Sequence, residues 1–177
     1  MERFEVKRGL VKTINSEGGL NAIANKHFDN VKNTENDGFS AAWGLMTDIK
    51  AHFDDDGKLV VEVQQLKGGD LQSFLEKDGG REEAMESRKR WSAFLDESTG
   101  YNAKQRGDKA KENGKKVAKA KSGINMARKL MELSSKVDDE KRAKAEEMIA
   151  EVEQKLKEGN ATRALSLIEK TNKMLES

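Results

Sequence analysis

The spacing of apolar residues changes along the chain, and this change limits the fold to two kinds of structure. Between residues 39 and 64, apolar side chains recur at every second position, which is the period of a half-buried β-strand. Beyond about residue 118 they recur every three or four positions, which is the period of an amphipathic helix. The pattern therefore predicts a sheet in the first part of the chain and helices alone in the second.

In the first part, the pattern predicts four strands and the helices that cover them. Phe4 and Val6 alternate with charged residues in the first strand, and the turn at 54–57, Asp-Asp-Asp-Gly, joins the last two as a hairpin. Helical spacing occurs at 20–28, in a short segment that Asp70 can cap, and over about 81–98, with Gly100 placed to end that helix. The order β-α-β-β-β-α predicts an α+β fold, a small antiparallel sheet with helices on one face.

The second part predicts a helical hairpin or a three-helix bundle. One helix is expected from about 118 to 135, a second after its cap Asp138, and a third after Gly159 and Asn160. Because each apolar stripe is only two or three turns long, we expect this part to pack on the first domain, on a second copy or on a partner. The predicted domains are an α+β domain at 1–100, a basic linker at 101–121 and a helical hairpin or bundle at 122–177.

The net charge of +1 is the sum over three blocks, of which the first and last are acidic and the middle one is basic. Residues 1–97 hold 14 basic and 19 acidic residues, and residues 130–177 hold 9 and 11. Residues 98–129 hold 10 basic and 2 acidic residues, a net charge of +8 between two acidic blocks. The ten basic residues of this block are the candidate nucleic-acid-binding residues: Lys104, Arg106, Lys109, Lys111, Lys115, Lys116, Lys119, Lys121, Arg128 and Lys129.

Three interpretations of this basic block stay open. Gly107, Gly114 and Gly123 weaken any helix, which favours a flexible or partner-ordered linker over a rigid rod. Such a segment can bind a phosphate backbone by counterion release, and its excess of lysine favours point-charge contacts over bidentate reading of bases. The other interpretations are a solvated linker between acidic domains and a site for an anionic protein. A lipid surface is disfavoured because no large apolar face accompanies the charge.

The sequence lacks the patterns that catalysis or metal binding would need. It has no cysteine, no Gly-x-Ser-x-Gly, no phosphate-binding loop and no dinucleotide-binding glycine motif. A calcium loop aligned on Gly57 would place His52 and Val63 at carboxylate positions, so the turn is predicted to be a hairpin turn. His27 falls on the apolar face of a helix and His52 on the polar face of a strand. We therefore predict a non-enzymatic protein with no catalytic residue, no metal site and no cofactor.

No apolar run approaches the roughly 20 residues that a membrane-spanning helix needs. The first residues are charged and do not resemble a signal peptide, so the expected compartment is the cytoplasm.

Trp43 and Trp91 are predicted to be core anchors, because each lies on an apolar stripe.

Two segments carry a family resemblance. They are FEVKRG at 4–9 and RWSAFLDESTGYNAKQR at 90–106. Together they resemble an archaeal family of small α+β proteins of unknown function that often end in a Lys/Arg-rich segment. The resemblance covers about residues 1–110 and implies no activity, so no functional residue is assigned from it. The segment LKEGNATRAL at 156–165 resembles the turn of tetratricopeptide-like hairpins, but a single unit favours a generic helical hairpin.

The sequence thus predicts a nucleic-acid- or ribonucleoprotein-associated protein that contacts phosphate through residues 104–129. The expected partners are DNA, RNA or a ribosome. The alternative is a protein–protein adaptor, or a protein that forms homo-oligomers, in which the C-terminal helices make the contact.

Overall fold

The computed structural model describes residues 1–134 and 137–177, and the chain divides into two compact units, Met1–Asp108 and Lys109–Ser177. The predicted α+β class is confirmed. In chain order the elements are β1 (Glu2–Phe4), α1 (Leu10–Ser16), α2 (Gly19–His27), β2 (Asp29–Asn33), β3 (Phe39–Trp43), β4 (Met46–Phe53), β5 (Leu59–Gln65), α3 (Gly68–Glu76), α4 (Gly80–Thr99), α5 (Ala103–Leu133), α6 (Asp139–Lys157) and α7 (Ala161–Glu176).

The strands of the first unit form one antiparallel sheet in the order β1-β5-β4-β3-β2. The predicted hairpin joins β4 to β5, and Ala51 faces Val61 across it. In its turn, an oxygen of the Asp54 carboxylate accepts the backbone N–H groups of Asp56 and Lys58, both at 3.0 Å. This side-chain-to-backbone bonding is the reason that aspartate favours such turns.

Arg3 of β1 ties the edge of the sheet to this hairpin turn. Its Nε lies 2.6 Å from an oxygen of Asp54, and its Nη2 lies 2.9 Å from an oxygen of Asp56. Burial opposes ionisation of Asp54, but the hydrogen bonds from Arg3 and the two N–H groups outweigh it and hold the pKa of Asp54 below its usual value. The ionised Asp54 therefore stabilises both the turn and the attachment of β1.

Aromatic side chains fill the core between the sheet and helices α2 and α4. The Phe94 ring is fully buried, with its centroid 5.2 Å from that of Phe28 and 5.3 Å from that of Phe39. Trp91 stacks on Phe94 at 5.5 Å, and the guanidinium of Arg90 lies 4.3 Å from the ring centroid of Trp43. Both tryptophans pack against this core, as predicted.

Two elements of the first unit were not predicted from the apolar pattern. Strand β2 offers only Val31 as a partly buried apolar residue, and a bulge between Asp29 and Lys32 interrupts its pairing with β3. Helix α1 is short and buries Ile14 alone. The predicted cap of α3 is also wrong, since Asp70 lies in the first turn and the cap position is Lys67. Gly100 ends α4 as predicted, with a φ of 72°.

Helices α5, α6 and α7 share the core of the second unit. Many of the residues fully buried there are small or branched, among them Ala120, Ala127, Ala145, Val152, Ala164 and Ile168. Asp138 caps α6 as predicted, because its side chain accepts the N–H of Lys141 at 2.8 Å. Asn160 caps α7 in the same way, accepting the N–H of Arg163 at 3.2 Å.

The segment 101–121, for which a flexible or partner-ordered basic linker was expected, lies mostly in a helix, because α5 begins at Ala103. The Asn102 side chain accepts the N–H of Gln105 at 2.9 Å, and the Gln105 side chain accepts the N–H of Asn102 at 3.0 Å. This reciprocal capping box stabilises the first turn and offsets the cost of Gly107 and Gly114. Helix α5 ends at Leu133, and position 135 of the predicted helix lies outside the described residues.

Gly123 differs from the other glycines of α5 because α7 passes directly over it. A Cβ at Gly123 would lie 2.9 Å from Cγ1 and 3.0 Å from Cγ2 of Ile168, whereas a Cβ at Gly114 would meet nothing within 4 Å. The carbonyl of Gly123 also accepts the side-chain amide of Asn172 at 3.2 Å. The absence of a side chain at Gly123 therefore permits the close approach of α5 and α7.

This packing predicts opposite effects for two matched substitutions. Gly114→Ala should raise the free energy of unfolding by up to about 1 kcal/mol, because alanine favours the helix and meets open space. Gly123→Ala should lower it by about 1–2 kcal/mol, because the clash with Ile168 exceeds the same helical gain. Urea unfolding followed by far-UV circular dichroism measures both, and equal stabilisation by the two alanines would contradict the close contact.

The Asp54 contacts predict a pH-dependent loss of stability in the first unit. Asp54→Asn keeps an oxygen for the turn and loses the charge facing Arg3, so it should cost about 1–2 kcal/mol near neutral pH. The pKa of Asp54 is lowered in the folded protein, so this stabilisation is complete above the unfolded-state pKa of about 3.9 and is lost as pH falls through the lower folded value. Tryptophan fluorescence reports on this unit, since Trp43 and Trp91 both lie in it.

The exposed Asp55 is the control in the same turn. Asp55→Asn should change the unfolding free energy by less than about 0.5 kcal/mol. A difference between wild type and Asp54→Asn that persists unchanged below about pH 3 would exclude ionised Asp54 as its source.

Candidate nucleic-acid interface

The buried residues of α5 lie on one side of the helix, and several of its lysines lie on the other. Ala120, Ile124 and Ala127 are buried in the core of the second unit. At 3.6 residues per turn, Lys115 lies about 180° around the helix from Ile124. The spacing that buries the apolar residues therefore also places these basic residues on the side of the helix away from the core.

We define the lysine face as the exposed lysines of the second unit that lie on the side of α5 opposite its buried residues. Its members are Lys111, Lys115, Lys119 and Lys129. They span about 27 Å of helix at 1.5 Å per residue. Lys115, Lys119 and Lys129 lie in a stretch that has no Asp or Glu between Glu112 and Glu132, whereas Lys111 is next to Glu112 and three residues after Asp108.

Two further lysines are exposed but lie outside this face. Lys121 projects from the flank of α5 nearer the core, and Lys104 lies in the first turn of the helix, within the first unit. In the part of the chain that the structure describes, neither of these two lysines nor any member of the lysine face forms an ion pair.

The remaining four predicted residues are engaged with other groups. Arg106 is buried and pairs with the carboxylate of Asp96, and it also donates to the carbonyl oxygen of Tyr101. It therefore attaches the start of α5 to the end of α4 within the first unit. Arg128 pairs with Glu153 of α6 at 2.8 Å. These two arginines lie apart from the lysine face.

Lys109 and Lys116 share the carboxylate of Glu112. The Nζ atoms lie 3.4 Å and 2.9 Å from its oxygens, and Lys116 also donates to the hydroxyl of Thr162 at 3.3 Å. The hydrogen bond from Lys116 and the charge of Lys109 hold the pKa of Glu112 below its usual value. Glu112 lies three residues after Lys109 and four residues before Lys116. Side chains at these spacings face each other on a helix, so the sequence could have predicted these two ion pairs.

The two histidines are far apart in the chain and have different surroundings. His27 is half-buried beside Phe94, with its Nε2 3.0 Å from Glu97, which also pairs with Lys26. His52 lies on β4 opposite Val60 and is half-buried. Among the described residues, no three His, Cys, Asp or Glu side chains are grouped closely enough to hold a metal ion.

A groove of about 450 Å³ separates α5 from α6. Its lining is mostly charged, and the Arg128–Glu153 ion pair belongs to it. The base of the groove is formed by Met131 and Ile149.

In the described parts of the chain, no helix is both long enough and apolar enough to cross a membrane.

Comparison with known proteins assigns a family to the first unit. Neither a curated protein nor a solved structure matches the chain. The model of one family, the domain of unknown function DUF5611, matches residues 1–112, close to the range of the resemblance described above. Because this match covers more than half of the 177 residues, the chain belongs to the DUF5611 family.

Proposed function

We propose that this protein binds the phosphate backbone of nucleic acid through the lysine face of α5. The observation that supports the proposal is the alignment of four exposed lysines along about 27 Å of one helix face. Such a row presents several positive charges at once to a polyanion, whereas the rest of the chain is net acidic.

The chemistry of the lysine face favours contact with phosphate over reading of bases. Lysine is a compact point charge, and the two arginines of the block are paired with Asp96 and Glu153. No aromatic residue occurs in α5 to stack on an unpaired base. We therefore expect binding that tolerates any sequence, prefers a regular backbone such as duplex DNA or structured RNA, and weakens steeply with salt.

A role as a protein–protein adaptor is the second candidate function. The apolar stripes on which that prediction rests pack against one another, as Ile124, Ile149 and Ile168 of the three C-terminal helices show. A protein partner would therefore have to recognise the charged outer faces of this unit.

The proposal includes a non-enzymatic role and a cytoplasmic location. The family resemblance adds two further expectations, an archaeal origin and a Lys/Arg-rich ending.

Removing the charge of the lysine face should weaken nucleic-acid binding without unfolding the helix. The variant Lys111→Gln, Lys115→Gln, Lys119→Gln, Lys129→Gln should bind duplex DNA at least about tenfold more weakly at about 100 mM salt. The slope of log K against log salt should become shallower by about 0.9 for each lysine that contacts a phosphate. Fluorescence anisotropy with labelled duplex DNA and structured RNA measures both quantities.

The matched control removes four exposed lysines from the other two helices of the same unit. They are Lys144 and Lys157 of α6 and Lys170 and Lys173 of α7. This control changes the net charge equally and should retain most of the affinity. Absence of binding by the wild-type chain at low salt, or an equal loss in both variants, would reject the lysine face as the site.

A further inference from the structure

We propose that a small cavity on the open face of the sheet binds a zwitterion with the size and chemistry of a small α-amino acid. The open face is the side of the sheet turned away from α2, α4 and the aromatic core. The cavity has a volume of about 190 Å³, and all of its lining residues belong to the first unit. The site therefore shares no residue with the lysine face, and it does not depend on the proposed function.

Strand alternation places four side chains of β4 and β5 on the open face. Lys50 and His52 belong to β4, and Val60 and Glu62 belong to β5. The residues between them are buried in the core on the other side of the sheet. Lys50 lies opposite Glu62 and His52 opposite Val60, and such cross-strand neighbours have their Cβ atoms about 5 Å apart. The four side chains therefore surround one small area of the sheet, and all of them line the cavity.

Val60 and Gly38 shape the cavity. Val60 is only 8% exposed but lies outside the core cluster, so it forms the apolar base of the cavity. On the β3 side, a Cβ at Gly38 would lie 2.9 Å from the hydroxyl oxygen of Thr34 and 3.0 Å from the Cβ of His52. The absence of a side chain at Gly38 lets Thr34, which also lines the cavity, approach His52. Pockets for drug-sized ligands measure about 300–1,000 Å³, so this cavity fits a smaller molecule.

The polar side chains of the cavity retain groups that can bind a ligand. In the residues that the structure describes, the side chains of His52 and Glu62 form neither a hydrogen bond nor an ion pair, and His52 is half-buried. Lys50 lies opposite Glu62, but its Nζ pairs with Asp48 of its own strand at 3.1 Å. A lysine ammonium has three N–H donors, so this pair leaves others for a ligand. The cavity thus offers a carboxylate, a ring nitrogen and ammonium N–H groups around an apolar base.

A zwitterion matches this arrangement better than a molecule with a single charge. Its ammonium group can pair with Glu62, and its carboxylate can accept hydrogen bonds from Lys50 and His52. Its short side chain then covers Val60. A carboxylate without the ammonium is repelled by Glu62, and an amine without the carboxylate is repelled by Lys50. In an α-amino acid the two charged groups lie on neighbouring carbon atoms, which suits their recognition by two directly opposed residues.

The other charged side chains of the open face affect the site less. Asp48 offsets part of the charge of Lys50, so we expect the contact of Glu62 with the ligand ammonium to contribute most. Arg3 on β1 has its guanidinium engaged with the carboxylates of the hairpin turn. Lys32 on β2 is two strands away from Lys50. Because the site is shallow and its charged groups are partly exposed, we expect a dissociation constant of about 1–10 mM.

Proton NMR of the full chain tests the inference with L-valine as the probe. The chain has two histidines, so the imidazole signals report on the site directly. At constant pH near neutrality, L-valine should shift the ring-proton signals of His52 along a saturating curve. His27 packs beside Phe94 in the core and should keep its signals in place. The variant His52→Gln removes one set of signals and thereby assigns them.

Two analogues of L-valine separate the contributions of its charges without any substitution in the protein. The 3-methylbutanoate ion lacks the ammonium group and should bind at least about threefold more weakly than L-valine. The amine 2-methylpropylamine lacks the carboxylate and should also bind more weakly, by a smaller factor. An analogue that binds as tightly as L-valine would overturn the assignment of a zwitterion.

Substitutions at the two charged residues should each affect only the ligands that carry the matching group. Glu62→Gln should weaken binding of L-valine at least about threefold and should not weaken binding of 3-methylbutanoate. Lys50→Gln should weaken both of those ligands and should not weaken binding of 2-methylpropylamine. Circular dichroism should show that each variant is folded like the wild type.

The matched control removes an exposed carboxylate from the neighbouring strand β1. Glu2 lies opposite Val61, whose side chain faces the core, so Glu2→Gln changes the net charge as Glu62→Gln does without altering the cavity. This control should bind all three ligands as the wild type does. The proposal would be overturned by the absence of a saturating shift of His52 up to about 50 mM L-valine. Equal effects of Glu2→Gln and Glu62→Gln, or equal shifts of the two histidines, would overturn it as well.

Discussion

The fold of the first unit depends on one aromatic cluster that packs helix α4 against the sheet. The chain has only nine aromatic residues, and four of them, Phe28, Phe39, Trp91 and Phe94, meet in this core. Aromatic rings bury more apolar area than any other side chain, so this cluster supplies much of the burial available to a chain that is 37% charged. Its position fixes which sheet face the helices cover.

The second unit also has few large apolar residues, and its helices pack closely through small side chains. Alanines at 120, 127, 145 and 164 are fully buried, and Gly123 lets Ile168 approach the backbone of α5. Close helix packing gains dispersion contacts that large side chains would otherwise provide. The outer faces of α5 and α6 then remain available to charged residues, and the repeat that buries one side of α5 places the lysine face on the other.

The parts of the fold that the sequence predicted are those with strong local signals. The hairpin at Asp54, the end of α4 at Gly100 and the cap of α6 at Asp138 each depend on residues within a few positions. Strand β2 could not be predicted, because its pairing with β3 stabilises it and its own side chains carry little pattern. The first turns of α5 run against the helical cost of Gly107 and Gly114, and the capping box between Asn102 and Gln105 offsets that cost.

The sequence by itself determined the charge of the candidate site and its helical period, because both are properties of neighbouring residues. It placed ten basic residues between 104 and 129, but it could not say which of them face outward together. Only the tertiary structure decided that Arg106 pairs with Asp96 and that Arg128 pairs with Glu153, since those carboxylates come from other helices. The lysine face is what remains after these contacts and the burial of Ile124 have fixed the orientation of α5.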